Sequence, residues 1–159
     1  MTSYSVFVKL ECMKRRVAVR GVFVHQGRLL CIKLKPYNKK EVNFWCIVGG
    51  GVDPGEPLAD ALKREVIEET GIEPIVGRLL YVQQFMGAED EEQMEFFFMI
   101  ENPEDYVNVD LSKTTHGEEE IEHIEYIDPS NEKYRVLPAF LRTINLNKLP
   151  ESTVIYNYM

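Results

Sequence analysis
Short apolar runs dominate the first fifty positions, and a helical spacing follows them. Val17 to His25 (VAVRGVFVH) and Leu29 to Leu34 (LLCIKL) are rich in apolar and β-branched residues, which predicts strands. Gln26-Gly27-Arg28 between them reads as a hairpin turn. Phe44 to Val48 (FWCIV) is a further strand candidate, stopped by Gly49-Gly50-Gly51 and followed by the turn Asp53-Pro54-Gly55. From Pro57 to Thr70 the pattern changes period. Leu58, Ala61, Leu62 and Val66 recur at three- and four-residue spacings, so they form one stripe of a helix. Pro57 suits its first turn and Gly71 its left-handed stop.

Beyond the helix, Leu79 to Phe85 and Met94 to Ile100 read as strands joined by an acidic loop from Ala88 to Gln93. Ile121, Ile124, Tyr126 and Ile127 suggest another strand, and a late helix is expected over Leu137 to Ile144. No repeat, linker or low-complexity stretch interrupts the order, so residues 1–159 are expected to form one domain. Strands with interposed helices imply an α/β fold, a mixed sheet with helices packed on it.

Composition narrows the class. The chain has 159 residues, 45% hydrophobic and 28% charged, enough to build a core. No apolar run approaches the roughly 18 residues of a membrane span, and the polar opening Met1-Thr2-Ser3-Tyr4 is no signal peptide. Cys12, Cys31 and Cys46 are an odd number without CxxC spacing, and His25, His116 and His123 show no metal-ligand spacing. Reduced thiols in a cytoplasmic protein are therefore expected. The net charge of −8 disfavours non-specific nucleic-acid binding. That charge is unevenly spread: residues 1–50 hold ten Lys and Arg against only Glu11 and Glu41. Such a division suits an anionic ligand meeting carboxylate-held cations, and equally a solvated surface whose sign drifts along the chain.

The chemistry concentrates in Gly50 to Ile72, GGVDPGEPLADALKREVIEETGI. Glu65, Glu68 and Glu69 stand at i, i+3 and i+4 on one side of the helix, near its negative end. Like charges there cost about 0.2–0.5 kcal/mol per pair, and Arg64 alone cannot neutralise three of them. A hard divalent cation would compensate, because Mg²⁺ takes oxygen ligands and bridges carboxylates to phosphate. Taken alone, the same residues also fit an ordinary solvated acidic face.

The spacing of the whole segment resembles the Nudix hydrolase signature, G-x5-E-x7-R-E-U-x-E-E-x-G-U with U a bulky apolar residue. Gly50, Glu56, Arg64, Glu65, Val66, Glu68, Glu69, Gly71 and Ile72 fill all nine specified positions. The resemblance implies an α/β/α sandwich with a mixed β-sheet flanked by helices. It implies Mg²⁺-dependent hydrolysis of a diphosphate bond by metal-activated water, with Mn²⁺ as an alternative ion. Glu68 and Glu69 inherit the main ligand role, and Glu65 that of third ligand or general base. Arg64 would orient a carboxylate, Glu56 would support it, and the Gly50 carbonyl would face the metal. Glu120, in the acidic run before the late strand, is the candidate for a further ligand, with Glu95 behind it.

Outside the signature, Arg20, Lys33 and Lys35 are candidates for substrate phosphate, and Trp45 or Phe44 for stacking on a base. Ordinary exposed strand residues and core aromatics are the competing readings. Val48 stands where many family members have proline. The stretch after Ile72 carries neither the proline of ADP-ribose hydrolases nor the tyrosine of dinucleoside polyphosphate hydrolases, and the SQPWPFPxS element of NADH hydrolases is absent. The expected partner is a small molecule, a nucleoside triphosphate or a nucleoside diphosphate linked to another moiety. A non-catalytic nucleotide sensor is the alternative, disfavoured because all four motif glutamates remain. Dimers are frequent among such proteins, so a homodimer stays open.

Overall fold
The computed structural model describes residues 14–36, 41–87 and 90–158. Cys12, the Met1–Tyr4 opening, and Ala88 and Glu89 of the expected acidic loop lie outside them. A four-stranded mixed sheet takes the order β1–β5–β4–β7, with β1 Arg15–Val22, β4 Val76–Met86, β5 Glu92–Ile100 and β7 Val154–Tyr158. β1 runs parallel to β5, β5 antiparallel to β4, and β4 parallel to β7. A three-stranded antiparallel sheet, β2–β3–β6, contains Val24–His25, Arg28–Leu34 and Ile121–Ile127. Helix α1 spans Leu58–Thr70, and the single turn α2 spans Gly117–Glu120.

The apolar runs are continuous because several strands are covered on both faces. In β3, Leu30 and Ile32 enter a core shared with Val19, Ala61, Leu62 and Val66 beneath α1. Leu29 and Cys31 enter a second core with Val22, Tyr81, Phe97, Phe140 and Leu141. The run from Val17 to His25 is not one strand. It passes from the larger sheet to the smaller at Phe23, which is fully buried.

Three other expectations are modified. Pro57 caps α1 from outside, with ψ 141°, and its carbonyl accepts from Asp60 and Ala61; Gly71 closes the helix at φ 73°, as expected. Phe44 to Val48 forms no ladder, because neighbouring residues bridge to different partners, Cys46 to Ile32 and Trp45 to Val136. The late helix reduces to a 3-10 turn at Ala139–Arg142. At its end the Thr143 hydroxyl donates to the Phe140 carbonyl at 2.8 Å, a local bond that competes with helical continuation. β7, which no pattern singled out, completes the larger sheet.

The charge division along the chain resolves into pairs across strands. Arg15 meets Glu92 at 2.6 Å and Arg20 meets Glu95 at 3.0 Å between β1 and β5, and Lys33 meets Glu122 at 2.8 Å between β3 and β6. Cys31 and Cys46 are free, and burial raises both thiols, Cys46 to about 11. No helix among the described residues is long and apolar enough to cross a membrane.

Candidate active site
A cavity of about 780 Å³ opens between the two sheets. Its acidic end is built by Gly49–Gly51, Glu65 and Glu69 of α1, and Glu120 of α2. Phe44, Phe85, Pro138 and Tyr158 make an apolar end. The helical spacing read from the sequence explains the first grouping: α1 buries Ala61, Leu62 and Val66 against β1, and so turns Glu65 and Glu69 toward the glycine loop.

Arg64 organises this end. Its Nε and Nη2 donate to the two carboxylate oxygens of Glu56, each at 2.9 Å. Nη1 donates to Glu65 Oε1 at 2.7 Å, and Nη2 also reaches the Gly51 carbonyl at 3.0 Å. Glu68 Oε2 lies 3.6 Å from Arg64 Nη1 and 3.2 Å from His116 Nδ1. The Arg64 fork and the Asp53 backbone N–H hold the Glu56 carboxyl down at about 2. Gly50 admits Glu65, since a Cβ at Gly50 would lie 2.2 Å from Glu65 Oε2.

Glu69 is the buried member. It accepts from the Gly49 backbone N–H at 2.9 Å, yet burial pushes its carboxyl up to about 8. The Gly49 bond and Arg20 act against that rise, while the nearby charges of Glu65 and Glu120 add to it. Glu120 arrives by an equally close contact. Gly117 packs on the end of α1 so tightly that a Cβ there would stand 2.2 Å from the Glu69 carbonyl, and His116 N–H donates to the Glu68 carbonyl at 3.0 Å.

The donors here are carboxylate oxygens in the wall of a cavity, beside a glycine whose missing Cβ leaves room, and this chemistry fits a hard divalent cation. The oxygens do not yet converge: among the described residues no three Asp, Glu, His or Cys side chains are gathered tightly enough to hold an ion. Glu68, next to Glu69 but turned about 100° round the helix, does not line the cavity and faces Arg64 and His116 instead. The Gly50 carbonyl already accepts from Val19 N–H at 2.9 Å, so one of its lone pairs is committed.

The residues expected to meet substrate distribute differently. Arg20 reaches the cavity wall, but its donors go to Glu95 Oε1 at 3.2 and 3.0 Å and to the Gly49 carbonyl at 2.6 Å. Lys33 pairs with Glu122, and Lys35 Nζ donates to the Glu118 carbonyl; neither lines the cavity. Trp45 also stands outside it, stacked on His123 with ring centroids 6.2 Å apart and edge-on to Tyr134 at 5.5 Å. Phe44 is the aromatic that enters. Phe85, Tyr158 and the buried Gln83 share the cavity without any sequence signal that set them apart beforehand.

The NUDIX domain family model matches residues 14–142. A putative 8-oxo-dGTP diphosphatase of Bacillus subtilis (strain 168) is 38% identical over 58 residues, 36% of this chain and 39% of that protein. The nucleoside triphosphatase NudI of Escherichia coli (strain K12) is 37% identical over 59 residues, 37% of this chain and 42% of that protein. The chain thus spans about two fifths of the length of these curated relatives. A MutT NUDIX hydrolase from Burkholderia pseudomallei superposes with a TM-score of 0.64 at 23% identity, covering 86% of this chain and 99% of that one. At that identity the likeness speaks for the fold, the α/β/α arrangement with a mixed sheet.

Proposed function
The chain belongs to the Nudix family, and from that premise we propose that it is a divalent-cation-dependent pyrophosphohydrolase. It would cleave the diphosphate bond of a nucleoside triphosphate or of a nucleoside diphosphate linked to another moiety. The observation that carries this reading is the acidic end of the cavity, where Glu65, Glu69 and Glu120 adjoin the glycine loop beside an apolar chamber large enough for a base and sugar.

Glu65, Glu68, Glu69 and Glu120 would hold the cation, with the Gly50 carbonyl contributing its remaining lone pair. Mg²⁺, or Mn²⁺ in its place, would lower the pKa of a bound water and neutralise phosphate oxygens. The protein's own part is positioning. Arg64, gripped by Glu56, fixes the Glu65 carboxylate through Nη1 and the loop through the Gly51 carbonyl. The Gly49 N–H and Arg20 oppose protonation of Glu69 and so favour the anionic form that a cation requires. Phe44 and Phe85 supply flat apolar surface for a base.

The names of the two relatives support beginning with nucleoside triphosphates. The free thiols of Cys31 and Cys46 fit a reducing compartment such as the cytoplasm. A panel of nucleoside triphosphates and nucleoside diphosphate derivatives, incubated with Mg²⁺ beside Glu69→Gln, tests the proposal. Release of pyrophosphate or of two monophosphates that disappears in the variant supports it. No cleavage of any member, or equal cleavage by the variant, overturns it.

A further inference from the structure
Three strands of the larger sheet align in one row, Ala18 of β1 with Glu95 of β5 and Glu95 with Gln83 of β4, and Glu95 and Gln83 line the cavity. The next row on the same face, Phe97 and Tyr81, belongs to the apolar core. Glu95 and Gln83 are thus buried polar groups beside that apolar row, 7% and 6% exposed, with Arg16 and Arg20 of β1 on the same face. Glu95 Oε1 takes both hydrogen bonds from Arg20, and among the described residues Oε2 takes none. Gln83 makes no side-chain hydrogen bond, and its Oε1 is the one buried side-chain polar atom without a partner among the described residues. Folded proteins pair nearly all such atoms, because leaving one unpaired opposes folding. At the wall of a cavity, solvent or a ligand can supply such a partner.

We propose that Gln83 and Glu95 together read the edge of the nucleobase, and that they select guanine. The proposal rests on the nucleotide reading of the cavity given above. Directly opposed side chains of an antiparallel pair reach a common planar edge. Glu95 Oε2 only accepts, whereas Gln83 offers one acceptor and one donor group. Two acceptors beside a donor complement an edge with two N–H groups and a carbonyl, which is the 2-amino, N1–H and O6 edge of guanine. Adenine offers one amino group beside a ring acceptor, cytosine one amino group beside two acceptors, and uracil a single N–H between carbonyls. Arg20 positions the Glu95 carboxylate, and Phe44 and Phe85 flank the ring. A site built on such bonds rejects analogues that lack them, since its buried groups are then left unpaired.

The test compares kcat/KM with Mg²⁺ for GTP, ITP (which lacks only the 2-amino group), ATP, CTP and UTP, in wild type and Gln83→Leu. Binding of GMP, IMP and AMP is measured by calorimetry in chelator. GTP is expected to exceed ITP by about tenfold or more, expressed in KM. In Gln83→Leu the GTP-to-ATP ratio, which reads O6 and N1–H, falls by about tenfold or more, while the melting temperature does not drop. Equal treatment of GTP and ITP by wild type, or an unchanged GTP-to-ATP ratio in the variant, overturns the proposal. Should no triphosphate be cleaved, the hydrolase reading fails separately, and chelator binding decides this one: GMP preferred over IMP by about tenfold supports it, and equal affinity overturns it.

Discussion

Arg64 and Glu56 form a two-pronged ion pair, Nε to Oε1 and Nη2 to Oε2, each at 2.9 Å. It links the first turn of the signature loop to the middle of α1, and the remaining Arg64 donors then fix Glu65 and the Gly51 carbonyl. A lysine cannot reproduce this fork. Arg64→Lys should lower kcat/KM by about 10- to 100-fold and weaken cation affinity, with the fold retained. Steady-state kinetics at varied Mg²⁺ check this. Glu56 adds a pH signature: its carboxyl is held at about 2 against an ordinary 4.5, so its stabilising effect is full above pH 4.5 and fades toward pH 2. Glu56→Gln should flatten that part of the acid-unfolding curve.

Glu69 behaves in the opposite sense. Its carboxyl rises to about 8, so without a cation the native protein keeps a proton that the unfolded chain gives up above about pH 4.5. Stability supplied by that protonated group is complete below pH 4.5 and is lost as pH climbs through 8. In chelator, wild type should lose more melting temperature between pH 5 and 8 than Glu69→Gln does, and Mg²⁺ should restore wild type most at the upper end. The same substitution should reduce turnover by about 10²-fold, near 3 kcal/mol of barrier.

Gly50 and Gly117 are both tightly overlaid, but by different neighbours. A methyl at Gly50 meets the end of the Glu65 side chain, which can swing aside. Gly50→Ala should therefore keep most stability while displacing Glu65 and losing activity. A methyl at Gly117 meets the Glu69 backbone carbonyl, which cannot. Gly117→Ala should cost about 1–3 kcal/mol in urea unfolding and weaken cation binding by shifting α2 with Glu120.

The two neighbouring aromatics should separate cleanly. Phe44→Ala is expected to raise KM several-fold, because Phe44 lines the cavity. Trp45→Phe, outside it and packed on His123 and Tyr134, should leave KM unchanged and lower thermal stability instead.

The acidic helix, its glycine terminator and the bodies of β3, β4, β5 and β6 were legible in the sequence, because their periods and turn residues are local signals, whereas Phe44 to Val48 was not. The positions of Glu65, Glu69 and Glu120 at one cavity follow from those elements. Partnerships across the chain were not legible. Nothing local distinguishes a lysine that meets a phosphate from Lys33, which meets Glu122 one strand away. Trp45 and Phe44 are adjacent, and only the bridge to Val136 on one side and the cavity on the other assign them different surroundings. Gln83 carries no motif at all. Its importance arises from what the fold fails to place beside it.

The parallel pairing of β1 with β5 joins residues as distant as Arg15 and Glu92, with α1 and β4 intervening in the chain. During synthesis, the first strand leaves the ribosome long before its neighbour exists, and Arg20 must wait for Glu95 with its charge unanswered. One wall of the chamber is thus erected well after the signature helix has been translated, and Glu120, Pro138 and Tyr158 join it later still. Chains arrested short of residue 100 would carry the entire recognisable motif and still have no chamber to use it in.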